Sequence, residues 1–169
     1  VKTLKFAALA ILPALFVATP AQAGEVFGGL YVHDVDTFLT IAGVEDGMDV
    51  QLGWRGDRIG KTPLQPYAFA AVNTSGNTNY AAVGLSAKFG KQFFVRPGLG
   101  IAVHTGSTKG YQIDGNGKLE FGSRVLFEPE LGIGAQITDR TSIEASWVHM
   151  SHATLFSKQN PGSTTWAFD

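Results

Sequence analysis

The segment Val125-Leu126-Phe127-Glu128-Pro129-Glu130-Leu131-Gly132-Ile133-Gly134-Ala135-Gln136-Ile137 decides the fold. In a β-strand successive side chains point to opposite faces. One face is then Val125, Phe127, Pro129, Leu131, Ile133, Ala135 and Ile137, apolar throughout. The other is Leu126, Glu128, Glu130, Gly132, Gly134 and Gln136, largely charged, polar or without a side chain. In a water-soluble sandwich the glutamates would simply face solvent. In a membrane barrel the apolar row faces lipid, and small or charged side chains fill a narrow interior.

The same period of two recurs through the chain. Val26, Gly28, Leu30 and Val32 alternate with Phe27, Gly29, Tyr31 and His33; Val50, Leu52 and Trp54 alternate with Asp49, Gln51, Gly53 and Arg55. Ala68, Ala70 and Val72 oppose Tyr67, Phe69 and Asn73, and a strand from Tyr80 through Phe89 sets Ala81, Val83, Leu85, Ala87 and Phe89 on one side. Phe93, Val95, Pro97, Leu99, Ile101 and Val103 form another apolar row opposite Phe94, Arg96, Gly98, Gly100, Ala102 and His104. Turns fall at Gly43–Gly47, Gly56–Lys61, Asn73–Asn79, Gly90–Lys91, Thr105–Lys118, Thr138–Arg140 and Ser157–Gly162, with short turns alternating with longer loops. With the segment that ends near His152 this gives seven strands. An eighth would close an antiparallel outer-membrane barrel, which in single chains has an even number of strands.

Composition narrows the function. The 169 residues carry a formal net charge of −1, which gives no basic surface for nucleic acid. Gly at 21 and Phe at 12 suit short strands and turns, and the absence of cysteine removes disulfides, thiol catalysis and cysteine metal sites. His33, His104 and His152 lack metal-ligand spacing and read as interior or rim residues; no metal or organic cofactor is implied. The Gly-rich loop Gly106–Gly117 is not followed by a helix pattern and holds no phosphate-binding lysine motif.

Residues 1–23 read as a secretory signal peptide: Lys2 and Lys5, an apolar run from Phe6 to Ala18, and Ala21-Gln22-Ala23 as the cleavage site. The mature chain is expected to begin at Gly24 and to form one β-barrel domain, 24–169. No later stretch reaches 18 consecutive apolar residues.

The chemistry lies near the end, in Ser146-Trp147-Val148-His149-Met150-Ser151-His152-Ala153. His149 and Ser151 stand two apart on the strand face that also carries Ile143, Ala145 and Trp147. A histidine beside a serine hydroxyl is the minimal pair for activating a nucleophile, and an apolar surround suits an apolar substrate. Two such residues on a strand are common by chance, so the pair alone is weak. Glu144 lies on the opposite face and reads as an interior charge paired with Arg96 or Arg124 rather than as a catalytic acid.

The strands, the signal peptide, His149-Met150-Ser151-His152-Ala153 and Asn160-Pro161-Gly162 together resemble the lipid A 3-O-deacylase (acyloxyacyl hydrolase) family. Members have a His-x-Ser-Asn-Ala pattern, a short loop, Asn-x-Gly, and an acidic residue two positions later. The resemblance implies an eight-stranded barrel in the bacterial outer membrane and a site facing the outer leaflet. It also implies hydrolysis of the 3-O-linked acyl ester of lipid A in lipopolysaccharide. Ser151 would be the nucleophile and His149 the general base. A backbone amide next to the serine would help hold the oxyanion, aided by His152, which stands where the family has asparagine. A homodimer is left open.

Two departures stand out. The family's acid position falls at Thr164, so the triad acid is missing, and the tail Ser163-Thr164-Thr165-Trp166-Ala167-Phe168-Asp169 reads as too short and too irregular for a spanning strand. A frameshift accounts for both. One permitted codon choice for these residues, TCG ACA ACC TGG GCG TTC GAC, read with one base restored ahead of it, places Asp at 164 and starts an alternating strand. As written, the enzyme is expected to have open barrel edges, to insert poorly and to be slow or inactive. Two other readings remain: a small structural or adhesive outer-membrane barrel without catalysis, and a soluble periplasmic sandwich or lipocalin-like binder.

Overall fold

The computed structural model describes residues 24–35, 44–109, 118–152 and 163–168. The signal segment and Asn160-Pro161-Gly162 lie outside the described residues. Nine strand segments follow in order: β1 (Glu25–Val32), β2 (Met48–Arg55), β3 (Leu64–Asn73), β4 (Tyr80–Ala87), β5 (Phe89–Gly90), β6 (Phe93–His104), β7 (Val125–Thr138), β8 (Thr141–Met150) and β9 (Ser163–Phe168). All pair antiparallel with their neighbours. The order β4-β3-β2-β1-β9-β8-β7-β6 returns to its start because β4 also pairs with β6.

Segments β4 and β5 are one strand in two pieces. Ser86↔Gly98 and Phe89↔Val95 share a register that sets Ala87 against Pro97. Proline has no amide to donate, so the ladder lapses there. The strand expected to run unbroken from Tyr80 through Phe89 is therefore interrupted after Ala87, and eight strand lines result.

The tail corrects the sequence reading. Ser163–Phe168 forms a strand that pairs with β8 over Ala145–Met150 and with β1 over Leu30–Val32. Thr-Thr-Trp favours extended backbone, and a strand can seal a seam without crossing the whole membrane. The expected pair of open edges is thus bridged at the loop rim. Farther down, β9 pairs with neither Glu25–Gly29 of β1 nor Thr141–Glu144 of β8.

The alternation has the outward sense expected of a membrane barrel. Phe93 is 77% exposed and Ile133 62%; Val26, Leu52, Val72, Val83, Leu99 and Ile143 are likewise exposed. Large apolar side chains in unbroken rows on an outer surface need lipid to cover them. Inside sit Arg55, Arg96, Asp49, Gln51 and Glu128, all buried. A soluble sandwich or lipocalin has the reverse arrangement, so that reading falls.

The lumen is filled rather than open. Glu25 Oε1 accepts from Arg55 Nη1 at 2.6 Å and from Arg96 Nη1 at 2.7 Å, and Arg96 Nε donates to Glu144 Oε2 at 3.0 Å. Glu144 is therefore an interior charge paired with Arg96. Arg124 instead donates to the carbonyls of His104 and Gly106. Above this layer Tyr67 stacks on Phe69, Phe69 meets Tyr80 edge to face, and the Tyr67 hydroxyl donates to Glu128. Gly100 makes room for that bond. A Cβ there would stand 2.5 Å from Glu128 Oε2 and 2.6 Å from the Tyr67 hydroxyl. Gly100→Ala should therefore destabilise the barrel by about 1–3 kcal/mol through overpacking, measured as a lower urea midpoint of the refolded protein.

At the loop rim a buried ion cluster ties three loops together. His33 Nδ1 meets Asp49 Oδ2 at 2.8 Å and its Nε2 meets Glu45 Oε2 at 3.1 Å. Glu45 also accepts from the amides of Thr78 and Leu119. Burial opposes charge on His33, but the bonds to Asp49 and Glu45 and their negative charge outweigh it, and its pKa is raised to about 9. The folded-state pKa thus lies above the unfolded value of 6.5. The stability this contributes is complete below about pH 6.5 and is lost as pH rises through about 9. A shift of this size corresponds to ~3 kcal/mol. His33→Ala should lower the urea midpoint strongly at pH 7 and much less at pH 10. An equal loss at both values would contradict the ionic account.

Candidate active site

β1, β3, β6 and β8 end, and β2, β4, β7 and β9 begin, at one rim, where the long connections lie. His149 and Ser151 come at the end of β8 and just beyond it, at that rim. Beneath them on the same face run Trp147, Ala145 and Ile143, the last 59% exposed. The pair therefore lies on the outward row. Yet His149 is only 9% exposed and Ser151 8%.

Neighbouring strands explain how the pair is seated. Ser151 bridges to Phe127 of β7: the Phe127 amide donates to Ser151 O at 2.7 Å and the Ser151 amide to Phe127 O at 3.1 Å. Glu130↔Val148 and Phe127↔Ser151 share one register, which sets Pro129 opposite His149. Pro129 has no amide, so the regular ladder stops at Val148 and resumes only as the single bridge at Ser151. On the other side β9 places Thr164 directly across from His149. Directly opposed residues of an antiparallel pair share a face. The outward face around the imidazole is thus bounded by Trp147 and Ser151 along its own strand and by positions 129 and 164 across it.

Trp147 and His149 stack: their ring centroids are 5.9 Å apart and the planes differ by 7°. Sequence reading put the two residues on one face but missed the stack and the β7 flank of Phe127 and Pro129. Only the register between β7 and β8 could have revealed that flank. His152 is completely buried, and among the described residues no cluster of ligating groups could hold a metal ion. His33 and His104 are also buried, His33 in its carboxylate cluster and His104 with Nε2 2.7 Å from Ser123 O. A shallow depression lined by Ala68, Ala81, Val83, Ile101 and Val103 lies across β3, β4 and β6, away from β8, and has no group suited to chemistry.

Because the Ser151 amide already donates to Phe127 O, an oxyanion formed at Ser151 would need other donors. The arrangement can support acyl transfer: a hydroxyl, an imidazole two residues away, and an apolar outer wall.

A β-barrel with an apolar outer face and a charged, filled lumen has the build of a membrane-spanning barrel. The chain belongs to the lipid A 3-O-deacylase (PagL) family, a family of ester hydrolases, whose model matches residues 43–169. A solved structure described as the crystal structure of the outer membrane enzyme PagL resembles it in fold. The TM-score is 0.57 and the identity 21%, over 83% of this chain and 94% of that one. No curated protein matches the chain.

Proposed function

We propose that this chain hydrolyses the 3-O-linked acyl ester of lipid A in the outer leaflet, with Ser151 as nucleophile and His149 as general base. The observation that carries this reading is the outward placement of the pair at the loop rim, within a chain whose family acts on lipid A. His149 takes the proton of the Ser151 hydroxyl as its oxygen attacks the ester carbonyl carbon. The tetrahedral oxyanion is held by donors beyond Ser151, His152 among them. Collapse expels the sugar 3-oxygen, which receives the proton from His149. Water, activated by the same imidazole, then releases the fatty acid and restores the serine.

Position 164 is proposed as the place of the acid that orients His149. Register supports this, since Thr164 stands directly across from it. With threonine there, the reaction is expected to be slow. Residues 1–23 are proposed as a cleaved export signal and the rest as a single barrel.

The test is incubation of the purified, refolded barrel with lipid A in mixed micelles, followed by mass spectrometry. Loss of one 3-hydroxyacyl mass with the free fatty acid in equal amount supports the reading. Intact lipid A after prolonged incubation with a folded barrel contradicts it and leaves a structural barrel.

A further inference from the structure

His149 lies on the outer face of the barrel, with Pro129 across from it on β7 and Thr164 on β9. Its ring stacks on that of Trp147, two residues earlier on the same face. The centroids are 5.9 Å apart with only 7° between the planes. At that separation the rings lie parallel and offset, a favoured geometry for aromatic pairs. Ser151 stands the same two residues away on the other side.

We propose that Trp147 is a positioning residue of the hydrolytic site: its indole face holds the imidazole of His149 in the plane from which a ring nitrogen can reach Ser151. This rests on the deacylase reading above. Stacking narrows the rotation about the imidazole's two side-chain torsions, and loss of such alignment lowers the rate of proton transfer. A tryptophan near a membrane interface also serves as an anchor. Anchoring depends on apolar bulk and affects stability, whereas positioning depends on a flat aromatic face and affects turnover.

Trp147→Leu keeps an apolar but smaller side chain without an aromatic face, and Trp147→Phe keeps a flat face. With an ester substrate in micelles, the leucine variant should lose about ten-fold in kcat with KM nearly unchanged, and the phenylalanine variant should stay within about three-fold of wild type. Urea midpoints of all three identify any variant whose barrel is weakened. A second readout needs no turnover. In the proton NMR spectrum the His149 ring resonance, assigned with His149→Gln, should carry a ring-current shift from the indole, and the leucine variant should remove that shift. Equal kcat for leucine and phenylalanine, or an unchanged His149 resonance in the leucine variant, overturns the proposal while leaving the deacylase reading intact. A wild type without turnover that still shows the ring-current shift counts against the deacylase reading and confirms the stack alone, which overturns Trp147's role in hydrolysis.

Discussion

Ser151→Ala should abolish deacylation, lowering kcat by at least about 10³-fold, and leave the barrel folded. Both halves of this expectation come from how the serine is held. Its backbone, not its hydroxyl, makes the two bonds to Phe127 that continue the sheet past the gap at Pro129. Alanine retains both, so the urea midpoint should shift by no more than about 1 kcal/mol equivalent. What disappears is the attacking oxygen. His149→Ala should cost a similar factor, and the double variant little more than either single one, because the two act as a unit. The check is release of fatty acid from lipid A at matched amounts of folded barrel. Residual activity near wild type in Ser151→Ala would mean that the nucleophile lies elsewhere.

Thr164→Asp should raise kcat, by about 10²-fold. In serine triads the acid fixes the imidazole's tautomer and stabilises the imidazolium, and its loss is costly. Here the register places residue 164 on β9 directly opposite His149 on β8, on the same face. A carboxylate at that position would stand beside the ring at the distance of a cross-strand neighbour. Thr164→Asn controls for size and hydrogen bonding without charge, and should gain far less. The measurement is the initial rate of ester hydrolysis for wild type and the two variants. Asparagine matching aspartate would remove the electrostatic argument, and no gain from either would mean that position 164 does not orient His149. In Thr164→Asp, Trp147 and position 164 would divide the work: the indole would hold the plane of the ring, and the new carboxylate would set which nitrogen bears the proton.

Much of the fold was legible because a membrane barrel gives each strand residue one of two fates. Val125 to Ile137 could be assigned outward or inward from the period alone, and the exposed Ile133 beside the buried Glu128 follows that assignment. The interior partner of Glu144 was narrowed to two arginines but not chosen. Periodicity says which face a charge occupies, and only the stagger of strands brings Arg96 rather than Arg124 beside it. The ion cluster at His33 was invisible for a related reason. Asp49 reaches His33 from β2 and Glu45 from the residues just before β2, contacts that the period of two does not reveal. The tail is indeed too short for a full membrane crossing, but its irregular pattern hid a strand: Ser163–Phe168 joins β1 and β8 near the rim. Of the active site, spacing gave the His149/Ser151 pair. Pro129, Phe127 and the stack on Trp147 required the register and the side-chain conformations.

The measurement that bears most directly on the account is the lipid A profile of intact cells. A Gram-negative host whose lipid A keeps its 3-O-linked chains would express either this chain or its Ser151→Ala variant, with outer-membrane insertion verified for both. Mass spectra of extracted lipid A should show a new species lighter by one 3-hydroxyacyl group with the wild-type chain and only the parent species with the variant. Identical spectra from the two inserted proteins would contradict the assignment of β8's outward end as a deacylase site.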